Sequence, residues 1–145
     1  MDFQTAVRTC FQKYVVFTGR AQRAEFWYFV LFNILGSIVL GIVDSILFGW
    51  ANDNASVLGG IFGLIMFLPS ISVAVRRLHD TDRSGWWWWL WLIPLIGWII
   101  LIVWYATKGT DGPNRFGPDP LGGASDGYDD SFTTRSSIPS VPRRD

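Results

Sequence analysis

The chain has 145 residues, enough for one domain, and its twelve Lys/Arg balance its twelve Asp/Glu. With no net charge, and with aromatic residues gathered in apolar stretches rather than among basic ones, the composition speaks against a nucleic-acid partner. One cysteine, Cys10, excludes an internal disulfide and a cysteine-cluster metal site, and one histidine, His79, excludes a multi-histidine zinc site within one chain.

Half of the residues are hydrophobic, and their placement says more than their number. Three segments, Phe26–Val43, Asn54–Val75 and Ser84–Thr107, contain no Lys, Arg, Asp or Glu. Each is near the roughly 20 residues an α-helix needs to cross a bilayer's hydrocarbon core. A buried helix of a soluble domain is usually shorter and keeps a polar face. The expected fold is therefore all-α: an integral membrane bundle of three transmembrane helices with an N-terminal interfacial amphipathic helix. The membrane domain is expected over residues 1–120, with spans at about 26–48, 57–75 and 86–106.

In Met1–Phe17 the apolar residues Phe3, Val7, Cys10, Phe11 and Tyr14 recur on one helical face. Such a helix suits a membrane interface or a contact with the protein's own loops. Gly19 is expected to end it, since glycine readily takes the left-handed cap conformation. Arg20 and Arg23 then flank the first span, and Phe26, Trp27 and Tyr28 mark headgroup level. No small-residue cleavage site follows closely, so an uncleaved span is expected rather than a signal peptide.

The first span reaches Val43 or Phe48, with Asp44 near its far end and Trp50 as a second interface marker. The connection 50–56 has no positive charge. The second span contains Gly59, Gly60 and Gly63, and Pro69, whose missing N–H is expected to kink it. Arg76–Gly85 then holds five charges and the histidine, and is expected to be a short polar hinge at the membrane surface. The third span is interrupted by Pro94 and Gly97 and ends at Trp104 and Tyr105. Lys108–Pro120 is turn-rich, and Leu121–Asp145 is too poor in apolar residues to offset its ordering entropy, so disorder is expected there.

Arg8, Lys13, Arg20, Arg23, Arg76, Arg77 and Arg83 would lie on one side, against Lys108 and Arg115 on the other. The positive-inside rule then puts the N-terminus and hinge in the cytoplasm and the tail outside; a fourth crossing at the Pro94 break would return the tail inside, but the two halves are too short for that.

Four stretches together resemble a known family: G-R-A-Q-R-A-E-F-W at Gly19–Trp27, R-R-L-H-D-T-D-R-S-G-W-W at Arg76–Trp87, P-L-I-G-W at Pro94–Trp98 and N-R-F-G-P-D-P at Asn114–Pro120. In order and spacing they are similar to the bacterial inner-membrane family known as domain of unknown function 805. The resemblance covers roughly Met1–Pro120 and implies a small multi-helix membrane bundle in the inner membrane. It brings no reaction, cofactor or catalytic residue with it.

Candidate sites follow from charge placement. Arg20, Arg23, Arg76, Arg77, His79, Asp80 and Arg83 are the candidate contacts for anionic headgroups or a ligand, because guanidinium forks match phosphate and carboxylate. The alternative is that these arginines set topology and pair with Asp80, Asp82 and Glu25. Ser37, Gly41, Gly59 and Gly63 form small-residue stripes that let helix backbones approach closely. Asn33, Ser37, Gly41 and Asp44 share a helical face, which is either a polar route or a packing face with Asp44 at the far interface. No catalytic motif is present, and no cofactor or metal is expected. The expected function is that of an accessory membrane protein whose partners are lipids, a second copy or another membrane protein. The alternative is a small transporter or channel component.

Overall fold

The computed structural model describes residues 1–49 and 56–122. The described chain forms α1 (Phe3–Gln12), α2 (Arg23–Phe48), α3 (Val57–Asp80), a 3-10 helix (Gly85–Leu92) and α4 (Ile96–Ala106). Trp50, and the stretch expected to be disordered beyond Gly122, lie outside the described residues.

The helices α2 and α3 have 26 and 24 residues and are the two long and apolar enough to cross a membrane. At 1.5 Å per residue, α2 extends about 39 Å. They run antiparallel. At one end the Ala21 N–H donates to the Arg76 carbonyl at 3.0 Å, and at the other Asp44 meets the start of α3. Between the ends Gly36 lies against α3, where a Cβ would stand 2.5 Å from Phe62 Cζ. Most of the small-residue stripe expected from spacing faces away from this contact. Gly41 and Gly63 have open space where a Cβ would project, Ser37 is exposed, and Gly59 lies against Ser56 and the Asp44 carboxylate. Spacing finds a stripe of small residues, but the partner's bulk decides which glycine is filled.

The surface of this pair is apolar. Ile34, Ile38, Ile42 and Ile46 on α2, with Ile61, Leu64 and Phe67 on α3, are all exposed, whereas Arg76 and Arg77 are 0 % exposed. That inverts the arrangement of a water-soluble protein.

The helix α1 starts at Asp2, whose carboxylate caps it by accepting the Thr5 N–H at 2.7 Å. It ends earlier than the apolar pattern suggests. The carbonyls of Lys13 and Val16 turn away to share the Ser72 hydroxyl proton, at 2.8 and 2.6 Å. Gly19, at φ 82°, makes the turn into Arg20 instead of capping α1. Phe3 packs edge-on against Tyr28, and Phe11 against Phe29 and Phe32, while Ala6 and Cys10 are buried beneath. A further tie comes from Pro69. Having no N–H, it leaves the carbonyl of Ile65 without its helical donor, and the Tyr14 hydroxyl donates to that carbonyl.

Helix α3 does not stop where the hinge was expected. It continues through Arg76–Asp80, and only Thr81–Ser84 forms the turn. The charged side chains find buried partners there, so the helix has no reason to end at the first arginine.

The third expected span, Trp86–Ala106, is not one continuous helix. Pro94 and Leu95 form a γ-turn: Leu95 has φ 62° and ψ −71°, and the Ile96 N–H donates to the Pro94 carbonyl at 2.8 Å. From this turn α4 folds back along the 3-10 helix. A Cβ on Gly97 would fall 2.0 Å from the Leu90 carbonyl oxygen, so glycine is required for that approach. The Trp98 indole N–H donates to the Trp91 carbonyl at 2.9 Å, and the rings of Trp87 and Trp104 meet at 5.6 Å. The eleven residues of α4 extend about 16 Å. The hairpin therefore returns to the end it left, and the tail after α4 lies against the hinge instead of opposite it.

Candidate functional site

Three interior arginines and three acidic groups meet where α2 begins and α3 and α4 end. Arg20, just before α2, sends Nε to Asp80 Oδ1 at 2.9 Å, Nη1 to the Gly112 carbonyl at 2.6 Å and Nη2 to the Thr110 carbonyl at 2.5 Å. Asp119 lies 3.9 Å from the same guanidinium. Arg77, three residues before Asp80 on α3, pairs with the other oxygen of that carboxylate. Its Nε donates to the Tyr105 carbonyl at 3.0 Å, and its Nη2 donates to that of Thr107. Those are carbonyls at the C-terminal end of α4, which lack intrahelical donors and carry the negative end of the helix dipole. Arg76 pairs with Glu25 on the first turn of α2, leaving its Nε and Nη2 unpartnered. Burying these charges is tolerable because each is paired and most remaining N–H groups reach backbone oxygen; removing one partner of a buried pair typically costs about 3–5 kcal/mol.

The tail completes this end. The Thr110 N–H donates to the Asp80 carbonyl at 2.7 Å, and the Asn114 side-chain amide donates to the His79 carbonyl at 2.9 Å. His79 donates through Nδ1 to the Gly19 carbonyl at 3.0 Å, and its ring lies flat on Phe116, 3.9 Å between centroids. Asp119 accepts backbone N–H bonds from Leu121 and Gly112, which hold its carboxyl below the usual value of 3.8. Arg115 pairs with Asp82 at 3.2 Å and covers the Phe116 ring.

Of the candidate contacts named from sequence, Arg20, Arg76, Arg77, His79 and Asp80 are thus buried together and engaged with protein partners. Arg83 is half-buried over Trp104, 4.5 Å from the ring centre, and donates to the Thr81 carbonyl. Arg23 alone among them is exposed, and it has no hydrogen bond or ion pair to the described residues. The contributions of Gly109, Asn114, Phe116 and Asp119 were not legible, because nothing in the sequence places the tail beside the hinge.

At the opposite end Asp44 is buried, and its two oxygens accept the N–H groups of Leu58 and Gly59 at 3.2 and 3.1 Å. It caps α3 from a neighbouring helix, satisfying donors that Ser56 does not. Asn33 donates to the Phe29 carbonyl of its own helix at 2.8 Å. No group of three or more metal-ligating side chains occurs among the described residues.

An exterior of exposed aliphatic side chains over two long helices, with the charged residues folded inward at one end, defines a helical membrane protein. The chain belongs to the family of proteins of unknown function DUF805, whose model matches residues 14–118. It is 53 % identical to the inner membrane protein YhaH of Escherichia coli K12 over 110 residues, covering 75 % of this chain and 90 % of that one. It is 42 % identical to the inner membrane protein YhaI of the same organism over 114 residues, covering 79 % and 93 %. A third relative, the uncharacterized protein YiiR, is 31 % identical over 130 residues, covering 71 % of this chain and 84 % of the relative. No solved structure matches.

Proposed function

We propose that this protein is an accessory component of the bacterial inner membrane, acting through lipid and partner contacts and catalysing no reaction of its own. In this reading α2 and α3 cross the bilayer, α1 lies at its cytoplasmic interface, and the hairpin of the 3-10 helix and α4 enters and leaves by the same face. The half-length of α4 against a core of about 30 Å supports a re-entrant hairpin. So does the hairpin's tip, where Leu92, Ile93, Leu95 and Ile96 are all exposed. The basic residues of the N-terminal segment, hinge and tail then share one face, while the far connection has none, which favours the cytoplasm for that face.

The observation that carries the accessory reading is the internal use of the charges. Arg20, Arg76, Arg77 and Asp80 hold helices and tail together, and Asp44 caps α3 at the other end. Residues spent on one another this way are poorly placed to pass a solute or attack a substrate. The transporter alternative retains one observation in its favour, a hollow of about 440 Å³ lined by Asn33 and Ser70 among aromatic and aliphatic side chains.

Two experiments test this. Reporters fused at Pro120 and at the N-terminus should both register the cytoplasm; a periplasmic signal at Pro120 would refute the re-entrant hairpin. Proteoliposomes containing the purified protein should show no proton or ion conductance above empty vesicles. A conductance lost in Asn33→Ala or Asp44→Asn would sink the accessory reading.

A further inference from the structure

Between α2 and the hairpin runs a groove of about 630 Å³, lined by Phe26, Trp27, Val30, Trp91, Trp98 and Leu101 with their neighbours. Its volume falls within the roughly 300–1,000 Å³ of ordinary ligand sites. Its lining is almost wholly hydrocarbon and aromatic, and one of its polar groups, the Trp98 N–H, is already bonded to the Trp91 carbonyl. Trp27 also lines a second hollow, with Arg23, Ala24, Tyr28 and Ala106, at the charged end of the molecule. An exposed, unpaired guanidinium thus stands one turn of α2 from a tryptophan of the apolar groove.

We infer that this groove is a binding site for one anionic phospholipid, with an acyl chain lying along Trp27, Trp91 and Trp98 and the phosphate held by Arg23. The inference rests on the membrane reading above and gives its lipid contact a place and a charge. Arg23 is suited to the role because, unlike Arg20, Arg76 and Arg77, it is not engaged internally, so a phosphate here displaces no existing pair. A guanidinium also offers a fork that matches two phosphate oxygens. A second copy of the chain would have to bring an anionic group to Arg23 and an apolar wedge to the groove at once. An anionic lipid has both in one molecule, already oriented along the membrane normal.

The test is photocrosslinking of the full chain in phosphatidylcholine vesicles doped with diazirine-acyl phosphatidylglycerol, or with the same probe on phosphatidylcholine, with adduct sites read by mass spectrometry. Adducts should concentrate on Trp27, Val30, Trp91, Trp98 and Leu101. The anionic probe should exceed the zwitterionic one roughly fivefold, the scale set by one basic side chain near an anionic headgroup. Arg23→Gln should abolish that preference and Arg23→Lys should keep part of it, while Val30→Trp, filling the groove, should remove the groove adducts of both probes. Equal labelling by the two probes, indifference to Arg23→Gln, or groove adducts that fall as the protein-to-lipid ratio is raised, the sign of a second copy seated there, would each overturn the site. Adducts spread evenly over Ile38, Ile42 and Leu64 as well would overturn the site and leave the membrane reading standing. No adducts on any of these faces would overturn both.

Discussion

The Tyr14 hydroxyl donates to the carbonyl of Ile65, the group that Pro69 leaves without a helical partner. Two unusual residues, 55 positions apart, therefore account for each other. A proline within α3 creates an acceptor, and the chain after α1 supplies its donor. Tyr14→Phe is expected to destabilise the protein by about 1 kcal/mol, the usual net value of one hydrogen bond. In Pro69→Ala, where the helix can satisfy Ile65 itself, the same change should cost less. A denaturant titration in detergent of the two single variants and the double variant measures the coupling; strictly additive effects would show that the bond does not depend on the proline.

Gly109 lies so close to Asp80 that a Cβ would stand 2.1 Å from Oδ2. Gly109→Ala should push the tail off the hinge without disturbing α2 or α3. Limited proteolysis should then cut within Asn114–Pro120 at least several-fold faster than in the parent, with the helical circular dichroism unchanged. Unaltered cleavage would mean that the tail is held by other contacts.

Asp119 gives the tail a pH dependence of known sign. Backbone N–H bonds from Leu121 and Gly112 lower its folded-state value below 3.8, so the unfolded tail binds the proton more tightly. The contribution to docking is then fully present above the ordinary value and is lost as pH falls through the depressed folded one. Amide exchange at Gly112, corrected for intrinsic rate, should accelerate on acidification below about pH 4, the ordinary carboxylate range. In Asp119→Asn that acid step should be absent.

Cys10 is buried under α1, 3.9 Å from the Glu25 carboxylate. Burial first, and the neighbouring negative charge second, push its thiol up to about 12. It should resist maleimide at pH 8 in the folded protein and react quickly once denatured, because the thiolate is the nucleophile. Fast labelling of the folded chain would place α1 away from α2.

The sequence carried the parts of this fold that depend on composition. The two long apolar helices are visible as uncharged runs, and the pairing of Arg20 and Arg77 with Asp80 and of Arg76 with Glu25 follows from opposite charges in adjoining stretches, whereas Asp82 meets Arg115 of the tail instead. It did not carry the γ-turn at Leu95. An apolar run interrupted by proline reads equally as a kinked span or a hairpin, and the decision rests on Gly97 meeting the Leu90 carbonyl across the turn. That one ambiguity also misplaced the tail, and with it every contact made by Asn114, Phe116 and Asp119. Asp44 was visible as a costly carboxylate, but its role as a cap for α3 depends on a neighbouring helix end that spacing alone does not locate.

The hairpin has a mechanical consequence. Among the described residues the far half of the body is two helices wide, while the near half also accommodates the 3-10 helix, α4 and the flank of α1. In the bilayer placement proposed above, such a taper would press the lipids of one monolayer apart more than those of the other, a stress that a bilayer relieves by bending. Protein reconstituted with its broad end outward should therefore enrich in small, highly curved vesicles over large flat ones, and the opposite insertion should reverse the sorting.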